Sequence, residues 1–265
     1  MPTNAVLECK SFSRDCGAQI RFGIDYGIAW DRYGIVRLAS GEGRSACRLP
    51  RRADLEHNEA MSRYIELHPV NPQARLVDKV VAVLRDGGLI AYPTDSGYAL
   101  ACAPGNKEGL DRIRAIRRLD SKHNFTFVCA SFAQVGPVAI VGNNAFRLIK
   151  RLTPGPWTFI LKGTKDVPRM TLNPKKHTLG VRIPDHAITQ ALVAGFDAPI
   201  LSSTFIRPGR NEPESSGWEI EDALGHLVDV VIEGPVGSTE PTTVVDLTDD
   251  APEVMREGSG DIALL

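Results

Sequence analysis

The sequence predicts an α/β domain over residues 61–265, built on a twisted mixed β-sheet flanked by helices. Short apolar runs rich in β-branched and aromatic residues, such as LIAYPTD, FTFVCA, WTFILKG and TTVVDL, recur between Gly, Pro and Asp punctuation. Amphipathic stretches of helical period separate some of these runs but not all. Strands therefore outnumber helices without alternating strictly, which favours a mixed sheet over a doubly wound parallel one. A 43% hydrophobic content in 265 residues is enough apolar material for a core.

Met61 opens the domain with a short strand, YIEL. Asn71 is placed to cap a helix with Pro72 at its first position, and Gly87-Gly88 stops that helix after LVDKVVAVLRD. LIAYPTD follows as a buried strand, and a turn at Asp95-Ser96-Gly97 leads through YALAC to a helix near 106–118. FTFVCA reads as a strand, NNAFRLIKRL as a helix, WTFILKG and HTLGVRIP as strands, and HAITQALVAGF as a helix. PILSSTFI, VDVVIEG, TTVVDL and EVMREG complete the strands, with EIEDALGHL helical between the first two.

Residues 1–60 differ. They hold eight Arg, one Lys and three of the five Cys, without sustained periodicity, and are expected to be an extension outside the fold. An accessory hairpin is the alternative, since FGIDYGIAW and YGIVRLA have strand character. The cysteines include no Cys-x-x-Cys pair and read as reduced thiols. Apolar runs such as VVAVL fall far short of the ~20 residues of a membrane span, and no secretory signal is readable, so the cytoplasm is expected. A net charge of −1 leaves phosphate binding to local clusters of cations.

At GGLIAYPTDSGYAL the sequence resembles the YrdC/YciO family, with Pro93, Thr94, Asp95, Ser96 and Tyr98 in the places of the opening motif. Pro-Gly-Pro-x-Thr at 154–158, Gly-Val-Arg-Ile-Pro-Asp-His at 180–186, Thr-Thr-Val-Val-Asp-Leu at 242–247 and Arg-Glu-Gly at 256–258 match in the same order. HPVNPQ and IRRLDSKHNFTF resemble the YciO branch in particular. The resemblance implies a YrdC-like sheet with an open cavity lined by basic and hydroxyl groups. It also implies binding of ATP with Mg²⁺, threonine and bicarbonate, and synthesis of threonylcarbamoyl-adenylate for tRNA modification.

Such a reaction brings carboxylates and a triphosphate together, so it needs cations and hydroxyls. Arg182, following a strand and preceding Ile183-Pro184, is assigned to the threonine carboxylate or carbamate, with a surface ion pair to Asp185 as the plain structural alternative. Thr94, Ser96 and Tyr98 alternate and would face one side of an extended chain; a local turn is the alternative. Arg114, Arg117 and Arg118 share a helix whose buried face is marked by Leu110, Ile113 and Ile116, and Lys122 and His123 follow. This cluster reads as a phosphate cradle or an RNA-facing patch, with Arg117 foremost, against a merely solvated basic face. Thr158, Ser202, Ser203, Thr204, Thr243 and Arg256 complete the candidate site by resemblance. His186 reads equally as a helix cap.

Two positions depart from the synthases. Their Lys-x-Arg pair aligns with Arg117-Arg118-Leu119, and their Ser-x-Asn with Thr204-Phe205-Ile206. Losing one transition-state donor typically costs ~100-fold to ~1,000-fold in rate, so weak synthase activity is expected. A non-catalytic module binding double-stranded RNA or the ribosome is the principal alternative, and adenylyl transfer to another carboxylate is a third.

Overall fold

The computed structural model describes residues 63–265, apart from Ser121, Lys122 and Asp250, together with the backbone of Ile28–Trp30 and Val36–Leu38. Contacts divide the chain into two units, Met1–Asn58 and Glu59–Leu265. Within the first, β1 (Ile28–Trp30) pairs antiparallel with β2 (Val36–Leu38). The expectation for residues 1–60 otherwise falls outside the described residues.

In the second unit, β3 (Arg63–Glu66) leads to α1 (Ala74–Arg85), which buries Val77, Val80, Val81 and Leu84, an i, i+3, i+4, i+7 stripe. The helix starts later than its sequence signals imply: its cap is Gln73, without a side-chain bond. The N–H groups of Val70 and Asn71 instead donate to His68 Nδ1, so a turn consumes the segment that Asn71 was expected to cap. Then come β4 (Ile90–Thr94), β5 (Gly97–Cys102) and α2 (Lys107–Arg117), the last capped by Asn106, whose Oδ1 accepts from Gly109 N–H. β6 (Thr126–Val128), a short β7 (Ala139–Ile140), α3 (Asn143–Leu152), β8 (Trp157–Gly163) and β9 (Thr178–Arg182) follow. The chain ends with α4 (Ala187–Phe196), β10 (Ile200–Thr204), α5 (Gly217–Leu224), β11 (Val230–Glu233), β12 (Thr243–Asp246) and β13 (Glu253–Arg256).

Eleven of these strands form one sheet in the order β13-β12-β8-β9-β6-β10-β5-β4-β11-β3, with β7 paired to β8. Its pairings are mixed: β11 lies parallel to β3 and β4, β12 to β8, and β6 to β9, while β4–β5, β5–β10, β10–β6 and β8–β9 are antiparallel. Helices lie on both faces. One face packs Ile90, Tyr92, Ala101, Val230 and Ile232 against α1 and α4, through Val80, Leu84, Ile188 and Leu192. The other packs Leu89, Ala91, Leu100, Phe127, Phe159 and Val245 against Leu110, Ile113, Ile149 and Ile220 of α2, α3 and α5. Cys102 and Cys129 are buried free thiols in this second layer, pushed up to about 12 by burial. No helix among the described residues is long and apolar enough to cross a membrane.

The β4–β5 turn is a point where geometry leaves little choice. Gly97 holds φ +83°, and a Cβ there would fall 2.3 Å from Pro213 Cβ. Gly97→Ala therefore combines left-handed backbone cost, about 1–2 kcal/mol, with overpacking, about 1–3 kcal/mol. We expect a loss of about 2–5 kcal/mol by urea unfolding.

Candidate functional site

Strand residues paired across a sheet share a face, and here that rule assembles a single cavity floor. Arg256 pairs with Val244 and Val244 with Thr158; Asp246 pairs with Ile160, Ile160 with Gly180, Gly180 with Thr126, and Thr126 with Ser202; Thr204 pairs with Ala99 and Ala99 with Tyr92. All of these line one cavity of about 450 Å³, on the face where α1 and α4 pack further along. That volume is within the range of small-molecule sites. Gly180 lies mid-floor, where a Cβ would approach Thr126 Oγ1 to 3.0 Å.

Four cations and one carboxylate line the cavity among the described residues: Arg117, Lys176, Arg182 and Arg256, with Asp246. A chain with net charge −1 has concentrated positive charge there. Arg182 is only 6% exposed, and its guanidinium lies 2.5 Å from Asp95 Oδ1, whose second oxygen accepts from Asp185 N–H at 3.2 Å. Its Nε–H has no partner among the described residues, nor has that of Arg117. Arg117 donates to Ser203 Oγ at 2.5 Å, and His123 Nε2 stands 3.0 Å from the same oxygen and 3.4 Å from the guanidinium. Burial, then the charge of Arg117, pushes the His123 imidazole down to about 4, so it is neutral at pH 7. Burial also lowers the pKa of Arg117, and burial with the neighbouring Arg182 lowers that of Arg256. Arg256 donates to Thr242 O at 2.9 Å, Thr242 and Thr158 share a hydroxyl–hydroxyl bond of 2.9 Å, and Tyr92 and Ser202 share one of 2.8 Å.

Of the residues expected from the sequence, Thr94, Arg117, His123, Thr158, Arg182, Ser202, Ser203, Thr204 and Arg256 line this cavity. Lys122 lies outside the described residues. Ser96, Tyr98 and Thr243 stand elsewhere. Thr94 pairs with Gly97 and its hydroxyl donates to Gly97 O, so the chain reverses after Thr94 and the expected alternation with Ser96 and Tyr98 is broken. Ser96 is buried in that turn, and Tyr98 enters the opposite core layer with its hydroxyl on the Ile232 and Gly234 carbonyls. Thr243 donates to Gly260 O; its neighbour Thr242 lines the cavity instead. Arg182 is neither exposed nor paired with the Asp185 carboxylate, because Asp95 reaches it from the β4–β5 turn. His186 caps α4, its Nδ1 accepting from Thr189 N–H. Leu119 packs on the apolar core rather than lining the cavity, whereas Ile206 does line it. Sequence reasoning missed Tyr92, Thr126, Asn173, Lys176, Thr242 and Asp246. The only available signal was pleat parity within TTVVDL, which needs the register to interpret.

The family model described as Sua5_yciO_yrdC, "Telomere recombination", matches residues 82–258. YciO of Escherichia coli is 48% identical over 202 residues, covering 76% of this chain and 98% of that protein. Its crystal structure superposes with a TM-score of 0.74, covering 77% of this chain and 99% of that one. A threonylcarbamoyl-AMP synthase of Coxiella burnetii is 29% identical over 173 residues, covering 64% of this chain and 91% of the synthase. Sua5 of P. abyssi complexed with L-threonine is similar in fold, with a TM-score of 0.68 at 24% identity over 74% of this chain and 58% of that one.

Two expectations follow from the site. Arg182→Ala leaves Asp95 unpaired in a largely buried position, so stability should fall by about 3 kcal/mol, a typical cost of halving a buried pair. Urea unfolding checks this, and a loss under about 1 kcal/mol would show that Asp95 finds solvent instead. For His123 the folded pKa, about 4, lies below the ordinary 6.5, so the unfolded chain takes the proton first as pH falls. Stability should therefore decline from pH 6.5 towards 4, and His123→Asn should lose part of that decline when unfolding midpoints are compared across the window.

Proposed function

This chain belongs to the Sua5/YciO/YrdC family, and from that premise we propose that its cavity binds ATP and threonine and makes threonylcarbamoyl-adenylate slowly, for tRNA modification in the cytoplasm. The activity is assigned to residues 61–265, with residues 1–60 an extension preceding the fold. The observation that carries this reading is that two arginine guanidiniums, those of Arg117 and Arg182, line one hydroxyl-rich cavity. Arg117 approaches where β6 and β10 meet, and Arg182 ends β9.

In the proposed reaction the threonine nitrogen bonds to the carbon of bicarbonate with loss of water, giving a carbamate. A carbamate oxygen then bonds to the α-phosphorus, the bond from that phosphorus to the bridging oxygen breaks, and pyrophosphate leaves. Arg182, held in place by Asp95 and with no partner for its Nε–H among the described residues, is suited to the threonine carboxylate, and Arg256 to the carbamate beside it. Arg117, with the hydroxyls of Ser203 and Thr204, is suited to the phosphates. Thr94, Thr158, Ser202 and Thr242 offer further hydroxyls.

Among the described residues no cluster of three His, Cys, Asp or Glu could hold a resident metal. The donor set fits Mg²⁺ carried on the phosphates, with Asp246 as the cavity's carboxylate ligand. Such an ion would offset phosphate charge.

Incubating the protein with ATP, threonine and labelled bicarbonate should yield pyrophosphate and labelled adenylate in equal amounts. Ile206 lines the cavity, so Thr204→Ser with Ile206→Asn should raise turnover on the order of 100-fold, more in kcat than in KM. Leu119→Arg should instead cost stability, since Leu119 packs on the core. No adenylate from either protein overturns the enzyme reading. Steeply salt-sensitive binding of double-stranded RNA or ribosomes would then favour the non-catalytic module.

A further inference from the structure

Lys176 stands on the cavity rim in a loop with a fixed backbone. Asn173 Oδ1 accepts from the N–H groups of Lys175 and Lys176, both at 3.0 Å; Asn173 N–H donates to Thr178 O, and His177 N–H to Asn173 O. His177 completes the turn at φ +54°. The loop is tied to the opposite wall, because Asn173 Nδ2 donates to Asn124 Oδ1 at 3.1 Å, and Asn124 follows His123 directly. β6 and β9 are parallel neighbours with Thr126 opposite Gly180, so the segments leading into them reach the sheet from the same side. Lys176 therefore shares one end of the cavity with His123, Ser203 and Arg117. Arg182 closes β9 four residues beyond Thr178, about 13 Å further along the strand.

Charge balance gives this placement a purpose. A triphosphate carries several negative charges, and neutral His123 adds none against them at pH 7. That leaves Arg117 as the cavity-lining cation on its wall among the described residues. Lys176 is exposed, and none of the ion pairs among the described residues engages its ammonium. An ammonium on a long flexible stem is a point charge well suited to an oligophosphate.

We infer that Lys176 is a phosphate-binding residue that closes over the β- and γ-phosphates of a nucleotide from the wall opposite Arg117, with the Asn173–Asn124 bond setting its reach. This rests on the reading of the cavity as a nucleotide site. Its signature is selectivity for phosphate number, which a residue serving only the loop's structure would not produce.

The test is calorimetric titration of the full chain, Lys176→Met and Lys176→Arg with adenosine, AMP, ADP, ATP and inorganic triphosphate. Lys176→Met should weaken ATP and inorganic triphosphate about 10-fold, equivalent to ~1.4 kcal/mol, and AMP less than about twofold. Adenosine affinity and melting temperature should not change, and Lys176→Arg should restore most of the ATP affinity. Equal ATP and triphosphate affinities in parent and Lys176→Met overturn the inference alone, as does a uniform loss across all five ligands. If the parent binds none of them, the inference and the nucleotide reading fall together.

Discussion

The two-residue period of the β-strand is the constraint on which the rest of this structure depends. One sheet face must pack apolar side chains under α1 and α4 in one region and present polar side chains to a cavity in another. Strand sequences satisfy both demands by changing character along the chain while keeping parity. In β10, Ile200 packs under the helices, Ser202 binds the buried Tyr92 hydroxyl, and Thr204 lines the cavity. The opposite parity of the same strand gives Leu201 to the other core layer. A shift of one residue would exchange these sets, so the core and the site specify the same register.

Charge is handled by partners drawn from distant segments. Burying an unpaired guanidinium is costly, and Arg182 is offset by Asp95, which arrives from a turn 87 residues earlier in the chain. Arg117 is placed by the Ser203 hydroxyl, and the same burial and charge keep His123 neutral beside it. These interactions hold the cavity's donors in place within the protein itself. In that sense the site is preorganised for negative charge.

Much of the architecture was legible because helix stripes, Gly-Gly and Gly-Pro punctuation, and β-branched runs are local signals. Positions in the opening motif, in Gly-Val-Arg and in Pro-Gly-Pro-x-Thr led to Thr94, Arg182 and Thr158, which the fold brings together. The errors share a cause. Tyr98 was expected beside Thr94 because an extended chain alternates, but Gly97 at φ +83° reverses the chain between them. Resemblance points to Thr243, whereas Thr242 lines the cavity, because parity within a strand has no absolute sense until a neighbour fixes it.

By itself the sequence determined most of the segments that are helix or strand, because capping, periodicity and turn chemistry act within a few residues, while the residue types expected in the cavity came with the family resemblance. The tertiary structure alone decided that Asp95 pairs with Arg182, that Leu119 faces the core while Ile206 faces the cavity, and that Asn173 brings Lys176 to Arg117's end. Each of these depends on register and strand order between segments far apart in the chain. Non-local pairing of that kind is set by the summed packing of the whole sheet.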